Sequence, residues 1–237
     1  MTIRQFSDQI LNTSNIIRHI KKIVSQYEPG SLRNKIIALT SYAKYKKVKV
    51  AWGKITRLVP RVQKKFFATI NKEELEKLKN IRFEENDLVY ERNNLLLDFL
   101  FYIGLRVSEL TNLKHSDYCG GLLKVLGKGN KVRYIFLPDF LPKCFNPYSH
   151  DYLFPNQRGN RLSTRAIEKI ITKRTKLSGI QKRITPHSFR RSFATNLYNR
   201  GGKLETIQKQ LGHASLDTTM AYIHNDYDTL FADYSKL

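Results

Sequence analysis

Apolar side chains recur at helical spacing through most of the chain. Near the start, Phe6, Ile10, Ile16, Ile17, Ile20 and Val24 fall close to one helix face. Pro29-Gly30 interrupts that pattern, and a second amphipathic run covers residues 32–45. These runs predict two or three short helices ahead of a basic junction that contains Pro60. Asn71 with Glu74 three positions later has the form of a capping box, which starts a helix reaching about Lys79. Residues 88–102 are apolar enough for a buried helix, punctuated by Gly104.

The pattern then changes. Two strand-like runs, 122–126 and 132–137, flank Gly127-Lys128-Gly129-Asn130-Lys131, and glycine with asparagine at the tip is a β-hairpin signal. Helical spacing returns over 163–177, with Ser163 as N-cap and Ser178-Gly179 as the close. It continues over 185–199, where Thr185 caps, Pro186 takes the first position and Gly201-Gly202 stops the helix. A short helix over 204–211 ends at Gly212, and Asp217 or Thr218 can cap the next one. The expected class is therefore mainly α (α+β), with one small antiparallel hairpin.

Composition sharpens this picture. The 237 residues are enough for two domains. Lys and Arg number 42 against 20 Asp and Glu, a net +22, which points to a polyanionic partner. The excess is uneven: residues 1–66 hold fifteen Lys and Arg and only Asp8 and Glu28 as acids, so 15 − 2 = +13 lies in little more than a quarter of the chain. Lys44, Lys46, Lys47 and Lys49 close the second helix, with Tyr45 and Trp52 interleaved, and read as a clamp on a DNA backbone. The boundary falls near residue 66, giving domains 1–66 and 67–237. Cys119 and Cys144 lack zinc-site spacing and are expected to be free thiols in a reducing compartment. The start has no apolar signal core, and the most apolar run, 95–105, is broken by Asp98 and too short to span a bilayer, so a cytoplasmic protein without a membrane segment is expected.

Several residues are candidates for chemistry. Arg106 follows Gly104, and Glu109, three residues on, shares its face if a helix resumes and would orient the guanidinium. Lys128 projects from the hairpin turn, which is no phosphate loop because GxxxxGK[ST] is absent. Arg165, Lys169, Lys173, Arg174 and Lys176 either follow a phosphate backbone or solvate a helix face. His187 and Arg190, at i and i+3, sit near a positive helix end that favours an anion. His213 falls on a turn and Tyr222 on the helix after it. Taken singly, each has a plainer reading: a surface salt bridge, a solvated lysine, a packed tyrosine.

Their order and spacing decide otherwise. GLRVSEL around Arg106, GKGNK around Lys128, HSFRRSFAT around His187 and Arg190, and LGHASLDTTMAYIH around His213 and Tyr222 closely resemble the motifs of the tyrosine recombinase (phage integrase) family, especially its Xer members. The resemblance covers residues 67–237. Residues 1–66 resemble the family's core-binding domain only in character, as a small, basic, helical unit. Arg191 stands where many relatives have histidine and leaves the HxxR pattern intact.

The resemblance implies a helical catalytic domain with a small antiparallel sheet. It implies Tyr222 as nucleophile, His187 as general base, Lys128 as general acid, and Arg106, Arg190 and His213 as phosphate-holding groups, with Glu109 in support. No metal, cofactor or ATP is implied, since the phosphotyrosyl bond stores the energy of the one it replaces. The partners implied are double-stranded DNA with an inverted-repeat site and further copies of the chain, a tetramer on two sites. Tyr227, Leu230, Phe231 and Tyr234 form a stripe in the tail that would dock on a neighbouring subunit or on its own domain. A type IB topoisomerase and a non-catalytic DNA-binding protein are the competing readings.

Overall fold

The computed structural model describes residues 11–60, 68–127, 129–146, 151–213 and 215–220. The chain divides into two compact units, Met1–Lys65 and Phe66–Leu237. Lys128, Tyr222 and the tail stripe lie outside the described residues, as do Phe6 and Ile10.

In the first unit, α1 (Thr13–Ile23), α2 (Pro29–Tyr45) and α3 (Trp52–Thr56) enclose a core of their own. Ile16, Ile20 and Ile23 of α1 meet Leu32, Ile36, Leu39 and Ala43 of α2 and Ile55 of α3. Asn12 caps α1 by accepting from the Asn15 N–H at 2.8 Å. Pro29-Gly30 opens α2 where the sequence pattern suggested a break, because a proline at the first position gives up no intrahelical hydrogen bond. Lys44, Lys46, Lys47 and Lys49 are exposed around the end of α2. Lys46 Nζ lies 6.0 Å from the Tyr42 ring centre and 5.7 Å from that of Tyr45.

The second unit contains α4 (Lys72–Asn80), α5 (Asp87–Ile103), α6 (Val107–Asn112), β1 (Tyr118–Cys119), β2 (Leu122–Leu126), β3 (Val132–Phe136), α7 (Thr164–Leu177), α8 (Pro186–Asn199), α9 (Leu204–Leu211) and α10 (Leu216–Met220). The expected Asn71–Glu74 capping box is made in both directions, at 2.8 and 3.0 Å. The predicted hairpin is β2 and β3, with Leu122 opposite Phe136 and Leu126 opposite Val132. The third strand, β1, escaped the pattern because two residues show no alternation. Before α10, Ser215 makes a turn contact, its Oγ accepting from the Thr218 N–H at 3.4 Å and lying 3.0 Å from Thr218 Oγ1.

Helix α5 is the spine of this unit. Leu96, Leu97, Phe99, Leu100 and Ile103 are buried against Leu75 and Leu78 of α4, Leu123, Val125 and Ile135 of the sheet, Ile167 and Ile171 of α7, and Phe189 of α8. Gly104 ends α5 in the left-handed region at φ +66, and a Cβ there would lie 2.6 Å from the Phe193 ring. The glycine thus lets the end of α5 approach α8 closely.

One basic residue of α7 departs from both readings its sequence allowed. Arg174 is fully buried and serves neither solvent nor backbone phosphate. Its guanidinium bonds Glu84 Oε1 at 3.0 Å, the Asn94 side chain and the Leu78 carbonyl at 3.4 Å. Burial alone would raise the Glu84 pKa; bonds from Asn93 and the Phe83 N–H, with the Arg174 charge, outweigh it and hold the carboxyl below its ordinary value. No helix among the described residues is long and apolar enough to cross a membrane. Glu84→Ala leaves the Arg174 charge buried and unpaired, and urea unfolding of the chain is expected to show a loss of about 3–5 kcal/mol.

Candidate active site

The site is assembled on the carboxyl end of α9. The last carbonyls of a helix have no partner within it, and here each is accounted for. Gln208 O accepts from the N–H groups of Gly212 at 2.8 Å and His213 at 3.1 Å, and Lys209 O accepts from Gly212 at 3.1 Å. The next three carbonyls take arginine side chains. Arg133 Nε donates to Gln210 O at 3.1 Å, Arg190 Nη2 to Leu211 O at 2.6 Å, and Arg106 Nη2 to Gly212 O at 3.1 Å, with Arg106 Nη1 3.4 Å from Leu211 O. Positive groups are favoured at this negative helix end.

Three separate elements deliver those guanidiniums. Arg106 is the N-cap of α6 in extended backbone, placed there by the left-handed turn at Gly104. Arg190 lies in the first turns of α8, buried, and its Nη1 also donates to Gly104 O at 2.6 Å, so it ties the ends of α5 and α9 together. Arg133 comes from β3. Gly212 adopts φ +66 and ψ 48, and a Cβ on it would lie 3.1 Å from Arg133 Cδ, Nε and Nη1. Conformation and room both require glycine there.

Glu109 is the carboxylate of the cluster and is 3% exposed at its side chain. Arg133 grips it with both terminal nitrogens, Nη1 to Oε1 and Nη2 to Oε2, each at 2.9 Å. Arg106 adds Nη1 to Oε1 at 2.8 Å and its backbone N–H to Oε2 at 2.9 Å. Burial pushes the Glu109 pKa up, but the Arg133 bonds and charge, followed by those of Arg106, more than reverse it and keep the carboxyl ionised below its usual range. Three guanidiniums against one carboxylate leave this cluster two charges positive, a fit for a phosphate.

Both histidines are held neutral beside it. His213 is 8% exposed, with Nδ1 2.9 Å from Thr219 Oγ1 on α10. Burial, then Arg190, Arg106 and Arg133, lowers its pKa to about 4. His187 sits at the start of α8 on the rim of a cavity of about 590 Å³ that is also lined by Val107, Glu168, Lys176, Arg183 and Thr185. Burial lowers its pKa too, followed by the charges of Arg190, Arg191 and Arg106. A neutral imidazole is the form that can accept a proton. The His213–Thr219 contact ties α10, the helix expected to carry Tyr222, to the cluster.

Of the sequence candidates, Arg106, Glu109, His187, Arg190 and His213 therefore come together. Lys128 and Tyr222 lie outside the described residues. Arg165, Lys169 and Lys173 are exposed along α7 at four-residue spacing, so they share one face, and Lys173 Nζ stands 3.9 Å above the Phe83 ring. Arg133 was missed. A signal existed: β3 carries Val132, Tyr134 and Phe136 outward and Arg133 inward with buried Ile135. A cation in the inward register of a strand whose outward positions are apolar calls for a buried carboxylate.

Comparison with known proteins agrees with this geometry. Residues 68–229 match the model of the phage integrase family. A tyrosine recombinase XerC from Syntrophus aciditrophicus (strain SB) is 31% identical over 240 residues, covering 92% of this chain and 75% of that protein. A tyrosine recombinase XerC from Listeria monocytogenes is 36% identical over 187 residues, 73% of this chain, and the chain spans 61% of that relative's length. A crystal structure of the XerH site-specific recombinase bound to palindromic difH substrate, a post-cleavage complex, superposes with a TM-score of 0.75 at 26% identity, covering 97% of this chain and 73% of that one.

The lowered His213 pKa has a consequence for stability. Between the ordinary histidine value of 6.5 and about 4, the unfolded chain binds a proton at this position that the folded chain does not. Stability is expected to fall as the pH drops through that window, and His213→Gln to flatten the slope of urea midpoint against pH.

Proposed function

The chain belongs to the phage integrase family, the tyrosine recombinases, and on that premise we propose that it is a site-specific recombinase that cuts and rejoins DNA through a 3′-phosphotyrosyl intermediate. The observation that carries this reading is the convergence of Arg106, Arg190 and His213 on the end of α9, with neutral His187 beside them. A cationic cluster fixed by bonds to helix ends suits the charge that grows on the non-bridging oxygens of a pentacoordinate phosphorus.

In this reading Tyr222 Oη attacks the scissile phosphorus. The P–O5′ bond breaks as the P–O bond to tyrosine forms, so the number of phosphoester bonds is unchanged and no nucleotide is consumed. A phenol with an ordinary pKa of about 10 must lose its proton as it attacks, and His187 accepts it. The departing O5′ takes a proton from Lys128. Arg106 and Arg190 hold the non-bridging oxygens and His213 donates a further hydrogen bond. Rejoining reverses these steps with the 5′-hydroxyl of a partner strand. Resemblance to the Xer proteins favours exchange over simple relaxation.

Double-stranded DNA is the substrate, with an inverted-repeat site bound by two copies and a tetramer on two sites, acting in the cytoplasm. Domain 1–66 closes on the duplex through Lys44, Lys46, Lys47 and Lys49, while Arg165, Lys169 and Lys173 track its backbone from α7 in domain 67–237. Exposure of all seven side chains supports that role.

A duplex nicked near the scissile bond is expected to trap a covalent protein–DNA adduct in the presence of EDTA, and Tyr222→Phe to abolish it. An adduct that survives this substitution, or that needs a metal, would sink the mechanism. On a two-site plasmid the expected outcome is exchanged sites, not relaxed supercoils alone. Replacing Lys44, Lys46 and Lys47 with Gln should weaken DNA binding and reduce the slope of log affinity against log salt by up to about 2.7, near 0.9 per lost phosphate contact.

A further inference from the structure

Arg133 is the guanidinium of the cluster to which the proposed chemistry gives no task. All three of its nitrogens donate to protein acceptors: Nε to Gln210 O at 3.1 Å, Nη1 and Nη2 to the two Glu109 oxygens at 2.9 Å. It stands opposite buried Val125 in the sheet, and 14% of its side chain is exposed, against 33% for Arg106. The two arginines share one carboxylate but differ in how they hold it. Arg133 makes the parallel two-bond fork that matches a carboxylate best, whereas Arg106 gives Glu109 one side-chain bond and turns Nη2 to Gly212 O. Gly127 closes the other side of this triad, since a Cβ there would lie 3.4 Å from Arg133 Nη1 and 3.6 Å from Glu109 Oε1.

Charge explains why a second arginine is needed. Glu109 is buried, and a buried carboxylate attracts whatever cation is within reach more strongly than one in water does. Arg106, three residues away, is within reach. With Arg106 and Glu109 alone the local charge is 1 − 1 = 0, and the carboxylate's best fork is with the side chain that must meet the phosphate. With Arg133 present the sum is 2 − 1 = +1.

We infer that Arg133 is a positioning residue: by engaging both oxygens of Glu109 it leaves the charge and orientation of Arg106 for the scissile phosphate. This rests on the recombinase reading above. Glu109 in turn fixes the α6 entry through the Arg106 N–H, so Glu109 orients Arg106 and Arg133 keeps Glu109 from capturing it.

The test is a double-substitution cycle in the full chain, read as the rate of adduct formation on the nicked duplex. Arg133→Ala is expected to slow cleavage about tenfold to a hundredfold, as for a misplaced or weakened phosphate donor. Glu109→Gln added to it should restore about tenfold or more of that loss, because the carboxylate that captures Arg106 is then uncharged. A methylphosphonate at the scissile position removes a negative charge from the phosphate, and on that substrate the Arg133→Ala defect should shrink to within about threefold. Arg133→Lys, which keeps a charge without the fork, is run in parallel, so that loss of folding in the alanine variant does not end the test; it should lose about tenfold and also gain from Glu109→Gln. Losses that multiply in the double variant, or an equal defect on both substrates, would mean that Arg133 only holds the fold and would overturn the inference alone. A wild-type chain that forms no adduct would overturn the recombinase reading and this inference with it.

Discussion

The bonds from Arg133, Arg190 and Arg106 to the carbonyls of Gln210, Leu211 and Gly212 are the interaction on which the rest of the catalytic unit depends. The last carbonyls of a helix must find donors, and here two of those donors, Arg106 and Arg190, are side chains that the proposed chemistry needs. One arrangement therefore satisfies a folding requirement and a functional one. Arg190 extends the arrangement to the end of α5 through Gly104 O, so two helices that stop at left-handed glycines are joined through one guanidinium. The arginine cluster is thus held by the protein's own acceptors, without DNA.

The same charges govern the histidines. Because burial, and after it the charges of Arg190 and Arg106, lower both imidazole pKa values, neither His187 nor His213 competes with the arginines for charge at neutral pH. In the proposed mechanism a neutral His187 has a lone pair for the tyrosine proton, and the His213 contact with Thr219 couples the arginine cluster to α10. Glu109 limits the accumulation of positive charge but does not cancel it. A site that must receive an anion is kept cationic, while the repulsion among its own groups is held in check by a single carboxylate and three helix-end carbonyls.

Much of this was legible in the sequence wherever local rules decide structure. Capping at Asn71, Ser163 and Thr185, the stop at Gly212 and the 122–136 hairpin all follow from residues a few positions apart. Pro29 was read as an interruption because a proline marks either a break or a first turn, and only packing against α1 distinguishes them. The candidate site was readable as a set of motifs: Arg106, His187, Arg190 and His213 do converge. What spacing did not carry was the means of convergence. That three guanidiniums would meet on consecutive carbonyls at one helix end depends on contacts between distant residues, 106 apart for Arg106 and Gly212, and no local pattern encodes those.

Arg174 and Arg133 show where composition stops being informative. Both read as ordinary members of a basic surplus, and both are substantially buried beside a carboxylate. Their settings differ in charge balance. Arg174 meets Glu84 one to one, and the Asn94 side chain and the Leu78 carbonyl also accept from its guanidinium, while its buried Nε has no hydrogen-bond partner among the described residues. Arg133 meets Glu109 in a group that also holds Arg106 and Arg190, where positive charge exceeds negative and the surplus is rigidly fixed. A buried cation matched within the protein stabilises a fold, whereas a set of buried cations left in excess, bonded to helix ends and beside neutral imidazoles, is the signature of a site completed by an anion from outside. On that criterion the arginines at the end of α9, rather than the longer basic run on α7, are the candidates for holding phosphate in the proposed reaction.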